Sequence, residues 1–212
     1  EPLPLRGRVF TAMAQELNLN WQSCQEVAHG MDSALMMVGI LPTIRQSDLC
    51  LANISDSMRY RALNEQVLLQ RAGRPLHIRI DGRELLDIRH PDVMLEAATT
   101  SFQIHLQSGQ RNAVRYFNAS LIAAGPLLAA AGNSPLLFGA DLWDETRIAL
   151  FEQSVEIADE SKLEDHRVSF GQDYAQASLF ECFAHNLATH PVLLPIVMNS
   201  APMELAQKAY LN

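Results

Sequence analysis

Cysteine is scarce and odd in number: Cys24, Cys50 and Cys182 stand far apart, with no CxxC pair among them. That spacing argues against a disulfide framework and against a thiolate zinc site. It leaves free, buried thiols in a reducing cytoplasm as the expected setting. Charge is sparse too. Only 19% of the residues are Asp, Glu, Lys or Arg, against about 25% in an average globular domain. The balance is acidic, with a formal net charge of -8, so neither nucleic acid nor an anionic membrane surface is an expected partner. Long apolar runs are also missing. The nearest, Leu121 to Ala131, is interrupted by Gly125 and Pro126 and falls short of the roughly 20 residues a membrane helix needs. No GxxxxGK[ST] phosphate loop, GxGxxG fingerprint, HExxH or GxSxG occurs, which removes the commonest nucleotide, zinc-protease and serine-hydrolase signatures.

What the chain does have is apolar content. Hydrophobic residues make up 48% of 212, enough to exclude intrinsic disorder and to fill one core at a length where one domain is the expectation. Residues 7–28 place Val9, Phe10, Met13, Leu17, Trp21 and Val27 at mostly three- and four-residue steps, predicting a half-buried helix stopped by Gly30. The run ALMMVGILPT at 34–43 suits a short buried strand closed by Pro42. Ser55 and Asp56 are candidate caps for a helix through Met58, Ala62, Val67 and Leu68 that ends at Gly73.

Residues 76–88, LHIRIDGRELLDI, alternate around Asp81-Gly82 and predict a hairpin with a two-residue turn at positive φ. TTSFQIHLQ at 99–107 alternates as well, placing Ser101, Gln103, His105 and Gln107 on one face of a predicted strand. A helix over 110–131 follows, with Val114, Phe117, Leu121 and Leu128 as core candidates and Pro126 as a kink or break. RIALFEQSVE at 147–156 reads as another strand, 159–166 as a charged loop, and 173–188 and 201–210 as helices. The sum is an α+β fold: several helices packed on a mainly antiparallel sheet.

Two places can carry chemistry. A strand face of Ser, Gln, His and Gln must be hydrogen-bonded or wetted, so it either meets solvent or floors a cleft. Neutral amides with an imidazole suit an anionic substrate or a hydrated metal, against the plainer reading of His105 as a structural histidine. Arg147 follows the Asn133-Ser134-Pro135 turn. Its planar fork suits a carboxylate or phosphate, and the plainer reading is an ion pair with Asp144 or Glu145.

SFQIHLQ, then RYFNASLIAAGPLLAAAGNSPLLFGADLWDETRIALFEQSV, resembles glutamate–cysteine ligase family 2, a group of bacterial carboxylate–amine ligases. GILPT at 39–43, ISDSMRYRALN at 54–64, IRIDGRELL at 78–86 and HPVLLP at 190–195 support it in the same order. The resemblance implies a glutamine synthetase-like catalytic platform, an antiparallel sheet backed by helices. It implies a reaction in which ATP, with Mg²⁺ or Mn²⁺, converts a carboxylate to an acyl phosphate that an amine then attacks. Small-molecule amino acid and amine substrates are its partners.

On this resemblance His105 is the metal-facing histidine, Ser101, Gln103 and Gln107 border the amino-acid or nucleotide site, and Arg147 grips the substrate carboxylate. Asn133 and Ser134 shape their loop. The family's Glu-bearing strand has no counterpart here, and Glu96, Glu145 and Glu152 take no metal role from the resemblance. Residues 1–212 therefore read as one domain, the central part of a longer ligase-like domain. The alternative is a catalytically incomplete ligase-like module that binds an amino acid or a protein partner.

Overall fold

The computed structural model describes residues 3–157, 168–171 and 173–193. It divides into two compact units, Glu1–Val38 and Gly39–Asn212. The first unit is built on α1, Val9–Gly30. Helix α1 ends at the expected glycine, and the Ser33 backbone N–H donates back to the Ala28 carbonyl at 2.9 Å. Of its apolar stripe Val9 is buried and Met13 and Trp21 are half-buried, whereas Phe10, Leu17 and Val27 are exposed.

The second unit begins where a strand was expected and no strand forms. Leu35, Met36 and Met37 are exposed, and only Ile40 of the 34–43 run enters a core. Helix α2, Met58–Gln70, starts from Ser57 rather than from a side-chain cap by Ser55 or Asp56. Asp56 is instead paired with Arg61 at 2.8 Å. The helix ends in Ala72 and Gly73, both at positive φ, as a glycine-closed helix does.

The hairpin is the centre of the unit. Strand β1, Leu76–Asp81, pairs antiparallel with β2, Leu85–His90, in the register Ile78↔Ile88 and Asp81↔Leu85. Leu76, Ile78 and Ile80 are essentially fully buried on one face, the period of two that the sequence displays. The connection has three residues, Gly82, Arg83 and Glu84, not two, and Gly82 is absent from the positive-φ glycines. Glycine is required there for a different reason: a Cβ on Gly82 would lie 2.6 Å from Leu142 Cα.

Helix α3, Ala113–Ala131, follows a short 3₁₀ turn at Gln110–Asn112 and runs through Pro126. None of its residues is buried. Val114, Phe117 and Leu121 are half-buried and Leu128 is exposed. Among the described residues Gln110–Ala131 is the one helical stretch long and apolar enough, by length and composition, to cross a membrane, whereas the apolar run alone was too short. A second small antiparallel pair follows, β3 Leu136–Leu137 with β4 Ala140–Asp141.

Residues 146–154 are a helix, α4, Thr146–Ser154, rather than the expected strand. The buried positions are Thr146, Ala149, Leu150 and Ser154, a helical three-and-four spacing carried by small residues that a search for large apolar side chains overlooks. Gln153 of α4 occupies the free edge of β1. Its amide oxygen accepts the Arg79 N–H at 2.8 Å, and its amide nitrogen donates to the Arg79 carbonyl at 3.1 Å. One side chain thus stands where another strand would pair. The core joins Ile78, Ile80 and Leu86 of the hairpin to Leu95, Leu137, Leu142 and Leu150.

The last described element is α5, Phe180–Thr189, the C-terminal part of the helix expected over 173–188. The charged tract at 159–166 and the helix expected at 201–210 lie outside the described residues. The fold is α+β, with antiparallel sheets that are small: two pairs of strands among the described residues. The cysteines are free, Cys24 exposed and Cys50 and Cys182 half-buried rather than buried as expected.

Candidate functional site

Four separated segments meet at one guanidinium. The hairpin turn fixes the first. Trp143 Nε1 donates to the Asp81 carbonyl at 2.9 Å, and Arg83 reaches both Asp141 at 3.2 Å and Asp144 at 2.5 Å. These contacts hold residues 141–145 against the hairpin. Residues 132–134 run alongside: the Ser134 N–H donates to the Asp144 carbonyl at 3.1 Å, and the Thr146 N–H to the Ser134 carbonyl at 3.2 Å. Ser134 and Glu145 form an isolated parallel bridge, and both are buried.

Arg147 opens α4 within this frame. Its Nε donates to Glu145 Oε1 at 2.5 Å, its Nη2 to Glu145 Oε2 at 2.7 Å, and its Nη1 to the Thr100 carbonyl at 2.6 Å. The Ser134 hydroxyl donates to the same Glu145 carboxylate through a very short hydrogen bond. Residue 39 closes the other side. The Gly39 N–H donates to the Asn133 carbonyl at 3.3 Å, and the Gly39 carbonyl accepts from Thr100 N and Oγ1 at 3.0 and 2.9 Å. A Cβ on Gly39 would fall 2.6 Å from Arg147 Nε and 2.7 Å from Asn133 Oδ1. A side chain at residue 39 would have to push both of these groups aside.

The electrostatics follow from the contacts. Hydrogen bonding to Arg147 holds the Glu145 carboxyl below the usual glutamate range, assisted by Ser134 and the Asn133 backbone and opposed by burial. The same bonding to Glu145 raises Arg147. A side-on, two-pronged pair of this kind is among the strongest single contacts available to arginine. These three hydrogen bonds use three of the five N–H groups of Arg147, so two remain to meet a further acceptor.

The other candidates are placed differently. Ser101, Gln103, His105 and Gln107 lie on an irregular exposed segment rather than on a strand. Phe102 and Ile104, their supposed buried alternates, are exposed as well. Alternation sorts side chains onto two faces only when a partner strand pairs with the segment, and among the described residues none does. His105 Nε2 is 3.2 Å from Gln103 Oε1, the one contact found between members of this set. The segment's link to Arg147 runs through Thr100, whose carbonyl the guanidinium holds.

Among the described residues no three His, Cys, Asp or Glu side chains gather as a metal would require. A hard divalent ion wants several oxygen ligands, so the described residues do not fit one at His105. Glu96, Glu145 and Glu152 do not gather as a ligand set among the described residues. Glu145 is committed to Arg147 and Ser134, and Glu96 is half-buried elsewhere. The pairing of Arg147 with Glu145, the plainer of the two expectations, is the one that forms, whereas Gly39 and Thr100 were not foreseen as members of the node. The signal was their place in the family segments: Gly39 opens GILPT, and Thr100 stands just before SFQIHLQ.

The segments that converge are GILPT, the start of TSFQIHLQ, NSP and the Arg147 helix. The model of glutamate–cysteine ligase family 2 matches residues 5–194, and the chain belongs to that family. It is thus a glutamate–cysteine ligase-like ligase at the level of the family. No curated protein and no solved structure matches it.

Proposed function

We propose that this chain serves an ATP-dependent carboxylate–amine ligation in the cytoplasm. A carboxylate is a poor acyl donor. Attack of its oxygen on the terminal phosphorus of ATP expels ADP and forms an acyl phosphate. An amine nitrogen then attacks the acyl carbon, the C–O bond to phosphate breaks, and the nitrogen loses its proton as the amide forms. Mg²⁺ or Mn²⁺ would neutralise triphosphate charge in such a reaction. No step here is assigned to the metal, because the described residues form no site for it.

In this reading Arg147 meets the substrate carboxylate with the two N–H groups that Glu145 and Thr100 leave, and Glu145 holds the fork in place. Ser101, Gln103 and Gln107 border the same substrate from the exposed segment, with His105 among them on the side of the nucleotide. The observation that supports it is the meeting of Gly39, Asn133, Ser134 and Thr100 around Arg147, all in segments that the family match spans.

The test is ADP release from ATP, Mg²⁺ and glutamate across a panel of amines. Release that needs both glutamate and an amine is expected, with loss in Arg147→Ala. ADP release indifferent to the amine would overturn the reading. For His105, which the described residues do not build into a metal site, His105→Ala is expected to leave Mn²⁺ affinity unchanged, and a loss of Mn²⁺ binding in the variant would return the histidine to the metal.

A second reading is favoured by the missing metal cluster among the described residues: a ligase-like module that binds an amino acid without turnover. Saturable glutamate binding by calorimetry, with no ADP formed for any amine, would select it.

A further inference from the structure

Away from Arg147, a cavity of about 280 Å³ opens between Asn53–Ser55, helix α2 and the 3₁₀ helix Val93–Ala98. Its walls are largely apolar, with Ile54, Leu63, Val93 and Met94 among them. Tyr60 and Ser55 supply hydroxyls, and among the described residues Glu96 is the one acid in its lining and no Lys, Arg or His lines it. We propose that this cavity is a binding site for a small organic cation, a primary ammonium group carried on a short apolar body.

Glu96 carries the inference. Its backbone carbonyl accepts from Thr99 N at 2.9 Å and Oγ1 at 2.7 Å, whereas its carboxyl makes no hydrogen bond or ion pair among the described residues. A half-buried carboxylate without a partner is costly, and the cost vanishes when a cation is supplied. Burial correspondingly pushes the Glu96 carboxyl upward. The two arginines that flank Tyr60 on α2 are already engaged: Arg59 lies over the Tyr60 ring at 4.6 Å and donates to its hydroxyl at 2.7 Å, and Arg61 pairs with Asp56 at 2.8 Å.

Size and lining restrict the guest. The volume lies just below the roughly 300–1,000 Å³ of sites for drug-sized ligands. An ammonium group can meet the carboxylate while its carbon chain covers Ile54, Leu63 and Met94. An anion would meet Glu96 with nothing to balance it. The cavity also adjoins the node: Thr99 lines it, and the carbonyl of the next residue, Thr100, is the one that Arg147 holds. Two sources share this chemistry, the amine consumed in ligation and an amine effector.

The test is isothermal titration of the full chain with n-butylammonium, n-butanol and butyrate near neutral pH. The cation is expected to bind most tightly and butyrate not at all. Glu96→Gln is expected to weaken the cation by about tenfold or more while leaving butanol unchanged, as loss of a charge-assisted contact requires. Ala97→Phe, a substitution at an exposed lining residue that spares the carboxyl, is expected to abolish both. Equal affinities for butylammonium and butanol, or an unchanged Kd in Glu96→Gln, would overturn the proposal. Should Glu96→Gln fail to fold, an unchanged Kd in Ala97→Phe overturns it.

Offering the bound amine with ATP and glutamate then separates the sources. Amidation makes it the acceptor, and recovery of the amine with an altered rate toward another acceptor makes it an effector. Amine binding without any ligation would overturn the ligase reading and leave the cavity assigned.

Discussion

Arg147 clasps Glu145 side-on although one residue separates them. Nε meets Oε1 at 2.5 Å and Nη2 meets Oε2 at 2.7 Å. Neighbours at that spacing point apart within a helix. The contact exists because Glu145 lies just outside α4, with φ -131 and ψ 65, so its side chain turns back over the first helical turn. That position also suits a carboxylate to the positive end of a helix. The Glu145 side chain is 9% exposed and that of Arg147 24%, so water screens the pair only in part.

Glu145→Gln should therefore destabilise the second unit by about 2 kcal/mol, less than the roughly 3–5 kcal/mol of a fully buried broken pair. The pH dependence has a definite sign. Because the folded carboxyl titrates below its unfolded value, its stabilisation is present above the ordinary glutamate range and is lost as pH falls through the folded value. Urea unfolding of parent and variant at neutral and acid pH checks both points. The two curves should converge in acid, and a constant gap would remove Glu145 from the titration.

Arg147→Lys keeps the charge and discards the fork. A single ammonium cannot span both Glu145 oxygens and the Thr100 carbonyl, so a loss of about 1–2 kcal/mol is expected. Glutamate binding should weaken together with stability. A Kd equal to the parent's, in a destabilised variant, would confine Arg147 to a structural role.

Two glycines should rank in a fixed order. At Gly39 a Cβ meets the ends of two side chains, Arg147 and Asn133, whereas at Gly82 it meets the main chain of Leu142 at 2.6 and 2.7 Å. Side-chain ends can yield and backbone packed in a core cannot. Gly82→Ala should cost about 2–3 kcal/mol and Gly39→Ala about 1–2 kcal/mol. Denaturant midpoints measure this, and the reverse order would refute the steric argument. Gly39→Ala should also disturb glutamate binding, which Gly82→Ala should not.

Glu96 bears on stability with the opposite sign to Glu145. Burial raises its folded value, so the ionised form penalises folding above that value, and the penalty is gone below the unfolded one. Glu96→Gln should melt about 1–2 °C above the parent near neutral pH. The difference should close below about pH 4, where the parent is protonated as well. A variant less stable at neutral pH would reveal a partner for the carboxylate.

Hairpin and helices α1, α2 and α3 were legible in the sequence because each is written in local terms: alternation for β1 and β2, Gly30 and Gly73 as helix stops. The failures share a cause. Residues 99–107 alternate as a strand does, yet strand pairing depends on a second segment that no local pattern reveals. Helix α4 hides behind Ile148 and Leu150, two residues apart, while its buried face is built from Thr146, Ala149, Leu150 and Ser154. Gly82 was read correctly as a turn glycine but for the wrong property, since what it supplies is room for Leu142. Of the site, Arg147 and the Asn133-Ser134 loop were visible through the family's motifs. Glu145 was visible only as the plainer alternative, and that pairing is the one the fold makes.

Helix α3 leaves none of its 19 residues buried, and a helix of that length is marginal when packing does not support it. Among the described residues its side-chain hydrogen bond to another segment is that of Asn118, which exchanges bonds of 2.8 and 3.0 Å with the Ala175 backbone. Amide protons along α3 should thus exchange with deuterium through local opening, while those of Ile78 and Ile80, locked between β2 and the leucines of the core, wait for the whole unit to unfold. The second unit would carry two clocks, a fast one on the helix between the histidine segment and the Asn133 loop and a slow one under the Arg147 node.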